Sequence, residues 1–333
     1  MPHRYKVREI AQQAGLSEAT VDRVLNDRAG VRENTRAEVA QAIADLDKQR
    51  AQLRLNGRRF LIDVVMQTPR RFSDAFRVAI EAELPAFAPA MVRARFHLWE
   101  AGATAQTVDA LSRIRGSHGV VLKAQDEPEV VEVVDRLVAG GVPVVTYSTD
   151  VPSSSRCAYV GIDNHGAGMT AAYLMDQWLG RGPSDVLITL SRTVFRGEGE
   201  REVGFRSGLR RSGRAVVEVS DSDGIDATNE RLVLDALERN PGIEAVYSAG
   251  GGNTATVAAF ERLERNCRVF VAHDLDADNR RLLRDGRISV VLHNDLRDDA
   301  RLAIRVLLQQ HGALPIEPVR TTPIQVVTPY NLP

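Results

Sequence analysis

The chain has 333 residues and a formal net charge of −1, long enough for two or three folding units and without a uniform basic coat for nucleic acid. Its two cysteines, Cys157 and Cys267, offer neither a disulfide framework nor a metal-ligand cluster. No apolar run follows the charged N-terminus and no stretch of about eighteen apolar residues occurs, which predicts a cytoplasmic protein.

Charge is spread unevenly. Residues 1–59 hold 12 basic against 8 acidic side chains, net +4, and the remainder 31 against 36, net −5. Within the basic arm, Val7, Ile10, Ala11 and Ala14 share one helical face, and Gly15 turns the chain out of that helix. Ser17 is placed to cap a second helix with Val21, Val24 and Leu25 inward, closed by Asn26 and Gly30. A third helix is expected from Glu33, with Val39, Ile43 and Leu46 inward.

Two short helices joined by Gly15-Leu16-Ser17 suit a helix-turn-helix, whose second helix must project into the major groove. On its outward face lie Glu18, Ala19, Thr20, Asp22, Arg23 and Asp27. Arg23 can pair bidentately with guanine, Glu18 can accept from a cytosine amine and the Ala19 methyl can touch a thymine methyl. Thr20, Lys6, Arg8 and Arg36 are placed for phosphate contacts that set register.

The run from Val7 to Asn26, followed by Val31 and Asn34-Thr35-Arg36, closely resembles the headpiece of LacI/GalR-type regulators. That resemblance implies base-reading roles for Glu18, Ala19 and Arg23. Two departures stand out. Asp22 replaces a usual phosphate-touching serine, and its charge requires neutralisation by Arg23 or Arg28. After Leu46 the family's minor-groove hinge helix usually opens with proline and asparagine, whereas residues 47–57 lack the proline and are a few residues shorter. A basic linker over 47–59 is therefore expected beside the alternative of a wedge by Leu53 or Leu55.

From Phe60 onward short apolar runs alternate with amphipathic stretches, the pattern of parallel sheets with crossover helices. Strands are expected at 61–66, 92–98, 119–122, 142–146, 158–162, 185–190, 216–219, 245–247, 268–271 and 289–292. Helices are expected at 73–88, 104–114, 128–139, 164–180, 198–212, 227–239, 253–265, 277–285 and 294–310. Ten strands divide naturally into two sheets, with the break near Asp163.

This order resembles the type I periplasmic-binding-protein fold, the regulatory part of the same family. Its short motifs are Tyr159-Val160-Gly161-Ile162-Asp163-Asn164, Arg201-Glu202-Val203-Gly204-Phe205 and Ile288-Ser289-Val290-Val291. The fold expected is thus α/β and two-lobed, preceded by a small all-α helix-turn-helix domain over 1–46. The likeness implies three crossings between lobes, with 60–161 and 294–320 in the first and 162–293 and 321–330 in the second.

Strand C-termini of parallel sheets open on a crevice, so polar residues there are candidate ligand contacts. The first lobe offers Phe72, Asp74, Lys123, Gln125, Tyr147, Thr149 and Asp150; the second offers Arg192, Arg196, Arg201, Asn253, His273, Asp274 and His293. In sugar-binding relatives of the fold an asparagine, an arginine, an aspartate and a glutamine hold hydroxyls. The likeness places these at Asn253, Arg201 or Arg196, Asp274 and His293. Phe72 can stack on an apolar sugar face, and Trp99 is assigned to the core.

Gly250-Gly251-Gly252-Asn253 admits a nucleotide-dependent enzyme as the alternative, but no phosphate-binding loop motif accompanies it, and the glycines fit a turn of close approach. His273, Asp274 and His293 lack the spacing of a zinc site, so neither metal nor cofactor is expected. A transport binding protein without DNA function fits the body but not the headpiece. The reading is a homodimeric, non-catalytic transcription regulator controlled by a sugar, polyol or sugar acid.

Overall fold

The computed structural model describes residues 3–333 apart from 29, 101, 181, 183, 193, 211, 221 and 223–225, with the backbone alone at 51, 52 and 54. Three helices come first: α1 (Val7–Ala14), α2 (Glu18–Leu25) and α3 (Glu33–Leu55). They close on a small core of Tyr5, Ile10, Ala11, Val21, Val39 and Ala42. Gly15, at φ 66°, makes the left-handed exit from α1.

The third helix departs from expectation. It does not stop at Leu46 but runs to Leu55, 23 residues and about 35 Å. Residues 47–55 contain no glycine, proline or β-branched side chain, so nothing interrupts the helix before Gly57 at φ 73°. Contacts from the N-terminal segment hold the extension: the Tyr5 hydroxyl donates to Asp47 Oδ1 at 2.5 Å, and Arg4 pairs with the same oxygen at 2.9 Å. At its far end Leu55 is buried in the core of the first lobe.

That lobe is a five-stranded parallel sheet of order β2-β1-β3-β4-β5, comprising β1 (Arg59–Gln67), β2 (Met91–Trp99), β3 (Gly119–Lys123), β4 (Val144–Tyr147) and β5 (Ala158–Val160). Helices α4 (Arg70–Glu83), α5 (Thr104–Ser112) and α6 (Pro128–Ala139) cross between its strands. Alternation along β1 puts Val64 in the core on one face and Val65 in the core on the other. Trp99 packs beside the second of these, as assigned.

The chain then enters a six-stranded sheet of order β11-β10-β9-β8-β6-β7. Its strands are β6 (Asp185–Thr189), β7 (Val216–Val219), β8 (Ile243–Ser248), β9 (Val269–His273), β10 (Val290–His293) and β11 (Gln325–Val327), all parallel except β11. Helices α7 (Asn164–Leu179) and α8 (Arg196–Leu209) cover one face. The other carries α9 (Asp226–Arg239), α10 (Asn253–Arg262) and α11 (Ala277–Arg284). After β10 the chain returns, and α12 (Leu296–Gln310) packs Ala300, Ala303 and Ile304 into the first lobe's core. It crosses once more where Thr322 bridges Ile162. The unanticipated β11 is a three-residue antiparallel edge, too short to leave an alternation in sequence.

Candidate functional site

Two surfaces carry the residues singled out above. On the headpiece, Ser17 caps α2 by accepting from the Thr20 amide at 3.1 Å, and its hydroxyl meets that of Thr20 at 2.8 Å. Glu18, Ala19 and Arg23 stand exposed on α2, with Lys6 and Arg8 exposed on the flanking side. Asp22 is neutralised by Arg28, 3.4 Å away, and accepts from Asn26 Nδ2 at 2.8 Å. Arg36, assigned to a phosphate, has its guanidinium paired with Asp27 at 2.5 Å, tying the loop after α2 to the start of α3.

The second surface is the cleft between lobes, where the strand C-termini of both sheets converge. From the first lobe come Phe72 and Lys123, and from the second Arg201, His273 and Asp274. Lys123 ends β3 buried, its Nζ 4.4 Å from the Phe195 ring centroid and 5.8 Å from that of Phe72. Burial lowers its pKa, and among the described residues its ammonium donates no hydrogen bond. Three N–H groups are thus available to a ligand.

Arg201 is placed by a backbone-to-backbone helix contact in the second lobe. A Cβ on Gly168 of α7 would come within 1.9 Å of the Arg201 carbonyl oxygen, and one on Gly204 of α8 within 2.1 Å of the His165 carbonyl oxygen. Two glycines thereby let α7 and α8 touch backbone to backbone. Arg201 Nε then donates to Asn164 Oδ1 at 2.8 Å and Nη1 to the Ala249 carbonyl at 2.9 Å. One turn earlier, Glu198 accepts from the Ser191 amide at 2.6 Å and from its hydroxyl; burial raises its pKa.

His273 Nε2 bonds the Tyr247 hydroxyl at 2.8 Å, burial holds the imidazole neutral, and its buried Nδ1 has no hydrogen-bond partner among the described residues. Asp274 adopts φ 65° and Ser148 φ 62°, one left-handed residue from each lobe on the cleft wall. Strained backbone of this kind concentrates at ligand sites. Asn279 fastens the end of β9 by donating to the carbonyls of His273 (2.9 Å) and Asp274 (2.7 Å).

Several candidates lie off the lining. Asp74 faces solvent and pairs with Arg70, because it sits a turn beyond the α4 terminus that meets the cleft. Asp150 is held by Arg156 Nε at 2.5 Å and by Thr146, and Arg196 by Glu200 at 2.9 Å. Tyr147 is fully buried beneath the cleft, stacked on Phe76 at 4.0 Å. Asn253 turns inward to donate to Asn279 Oδ1 at 2.7 Å, and His293 Nδ1 accepts the Leu275 amide at 3.2 Å. Arg71, Phe195, Glu198 and Asp276 line the cleft without having been singled out. The i, i+3 spacing of Glu198 and Arg201 was the available signal for one of them, and the helix-capping Asp276 with Asn279 for another.

Comparison with known proteins matches both parts of the chain. A family model for bacterial regulatory proteins, lacI family, matches residues 6–48, and one for a periplasmic binding protein domain matches 68–313. Among solved structures, the glucose-galactose binding protein GanP of Geobacillus stearothermophilus superposes with TM-score 0.74 at 19% identity, covering 84% of this chain and all (100%) of that one. A Burkholderia graminis solute binding protein in complex with D-arabinose gives 0.71 at 23% identity, over 83% and 97% of the two chains. A putative LacI transcriptional regulator from Bacteroides fragilis gives 0.73 at 14% identity, over 82% and 98%. At these identities the likeness is one of fold. Among curated proteins nothing matches.

Proposed function

The chain belongs to the lacI family of bacterial regulatory proteins, with a periplasmic binding protein domain as its larger part, and from that membership we propose a homodimeric cytoplasmic regulator whose operator affinity is set by a sugar or polyol. The single observation that carries the reading is the union, in one chain, of an exposed reading helix and a two-lobed polar cleft.

In this reading residues 1–46 form the headpiece and 60–333 the sensor, joined through the helical extension of α3. Arg23, Glu18 and Ala19 read base edges, and Lys6, Arg8 and Thr20 fix register on phosphates. Lys123, Arg201, His273 and Asp274 hold ligand hydroxyls, with Phe72 against the apolar face. A neutral imidazole, a carboxylate and two cations supply both acceptors and donors, which is what adjacent hydroxyls require. GanP, a glucose-galactose binding protein, and the Burkholderia protein in complex with D-arabinose support the ligand class. The cleft acts by binding and not by chemistry.

Two subunits related by a two-fold axis present two reading helices to a near-palindromic operator. A ligand that alters the relation of the lobes alters the placement of the helices, and by linkage operator and ligand change each other's affinity by the same factor. The test is selection of a duplex from a random pool by the full chain. Anisotropy titrations of that duplex follow, with and without D-galactose, D-arabinose, D-allose, D-fructose and the matching polyols. We expect one of these to shift operator affinity by about fivefold or more. A pool without sequence preference would overturn the regulator reading, and a selected operator indifferent to every sugar and polyol would overturn the ligand class.

A further inference from the structure

At the mouth of the cleft a charged side chain of the first lobe crosses to the second. Arg71, in the first turn of α4, brings its Nε to 3.1 Å from Asp276 Oδ2. Asp276 is nearly buried, and its Oδ1 caps α11 by accepting the Asn279 amide at 2.8 Å. Since Asn279 also fastens His273 and Asp274, the anion that Arg71 meets is built into the ligand wall. The same guanidinium lies over Gly251 at φ 93°, where a Cβ would come within 2.1 Å of Nη2.

Helix energetics do not account for Arg71. A cation in the first turn opposes the α4 dipole, and no acidic residue of that turn offsets it. Two of its contacts are instead with the opposite lobe, one to the Asp276 carboxylate and one over the side-chain-free backbone of Gly251. We propose that Arg71 is a ligand-retaining strap: docked on Asp276 and Gly251, it ties the lobes together over the occupied cleft and sets how long the ligand stays.

The strap biases the equilibrium between open and closed lobes, so it acts on affinity without touching the hydroxyls that confer specificity. Losing it leaves a nearly buried carboxylate without its partner in the closed form, which favours opening. This inference rests on the cleft being the ligand site, but its first test needs no ligand.

Small-angle scattering of the full chain without sugar should give a larger radius of gyration for Arg71→Ala and for Asp276→Ser than for wild type. Serine retains the cap of α11 but is neutral and too short to hold the guanidinium. The double variant should open no further than either single one. For whichever sugar of the panel above binds, both variants should release it about tenfold faster or more with an association rate close to wild type, as expected for losing one charge-assisted contact. Wild-type scattering in both variants would overturn the strap, as would unchanged release. Opening in both variants with no response to any sugar would leave the strap standing and remove the sugar reading alone.

Discussion

Arg201 and Asn164 meet at 2.8 Å because the helices that carry them cross where neither has a side chain in the way. Gly204→Ala puts a methyl 2.1 Å from the His165 carbonyl, a rigid backbone atom that cannot yield. The helices must separate, and the Arg201 guanidinium moves off both Asn164 and Ala249. We expect a loss of about 1–3 kcal/mol in stability together with a loss of ligand response, while operator selectivity is retained. A melting curve and an anisotropy titration on the same preparation check both.

Asp274→Ala removes a proposed ligand acceptor from the second lobe, and Lys123→Met removes a proposed donor from the first while filling much of its volume. The two should differ in stability. Lys123 is a buried cation without a protein acceptor among the described residues, so Met is expected to be neutral or stabilising by about 1 kcal/mol or more. Both variants should lose ligand affinity by about tenfold or more and keep selective DNA binding. Calorimetry with the responding sugar decides. Wild-type affinity in either variant would remove that residue from the ligand site.

On the headpiece, Asp22 and Arg28 are an ion pair at 3.4 Å beside the face of α2 proposed to read DNA. Arg28→Ala leaves Asp22 to repel phosphates, so it should weaken operator binding, by about 1 kcal/mol or less for so exposed a pair. In an Asp22→Ser background the same change should cost less, since the charge to be neutralised is gone. A double-mutant cycle in the anisotropy assay measures the difference. Additive effects would show that Arg28 contacts DNA independently of Asp22.

Most of the architecture was legible because parallel strands buried on both faces read as continuous apolar runs. All ten anticipated strands are present, and only β11, an edge of three residues, was silent. The headpiece was legible to its helix boundaries, through Gly15 and Ser17, except at the end of α3. There, without the family's proline, 47–59 was read as a basic linker beside the alternative of a wedge by Leu53 or Leu55, whereas local propensity over 47–55 continues the helix. The cleft was half legible. Proximity to a strand end identified Lys123, His273 and Asp274, but it could not tell inward residues from those that turn aside. Asp74, Asp150 and Arg196 each have a near partner in sequence, Arg70, Arg156 and Glu200, that holds them elsewhere. Arg71 depends on a contact between residues 205 positions apart, which no local pattern records.

The return crossing between lobes contains a titratable group that should make stability depend on pH. Asp299, on α12, is fully buried, accepts from Asn294 Nδ2 and faces Tyr147, Thr322 and Asp295; one of its oxygens has no hydrogen-bond partner among the described residues. Burial pushes its carboxyl up to about 6 from an ordinary 3.8. Because the folded value is the higher one, the fold binds this proton more tightly than the unfolded chain does. Its stabilising contribution is complete below about pH 4 and is lost as pH rises through 6, a difference of up to about 3 kcal/mol. Asp299→Asn keeps an acceptor for Asn294 and cannot ionise. The variant should therefore melt higher than wild type at pH 7.5, and the advantage should shrink as pH falls from 6 towards 4. Taking the difference between the two chains at each pH removes the contribution of the other titrating groups. A constant gap across that range would show that Asp299 is not the group responsible.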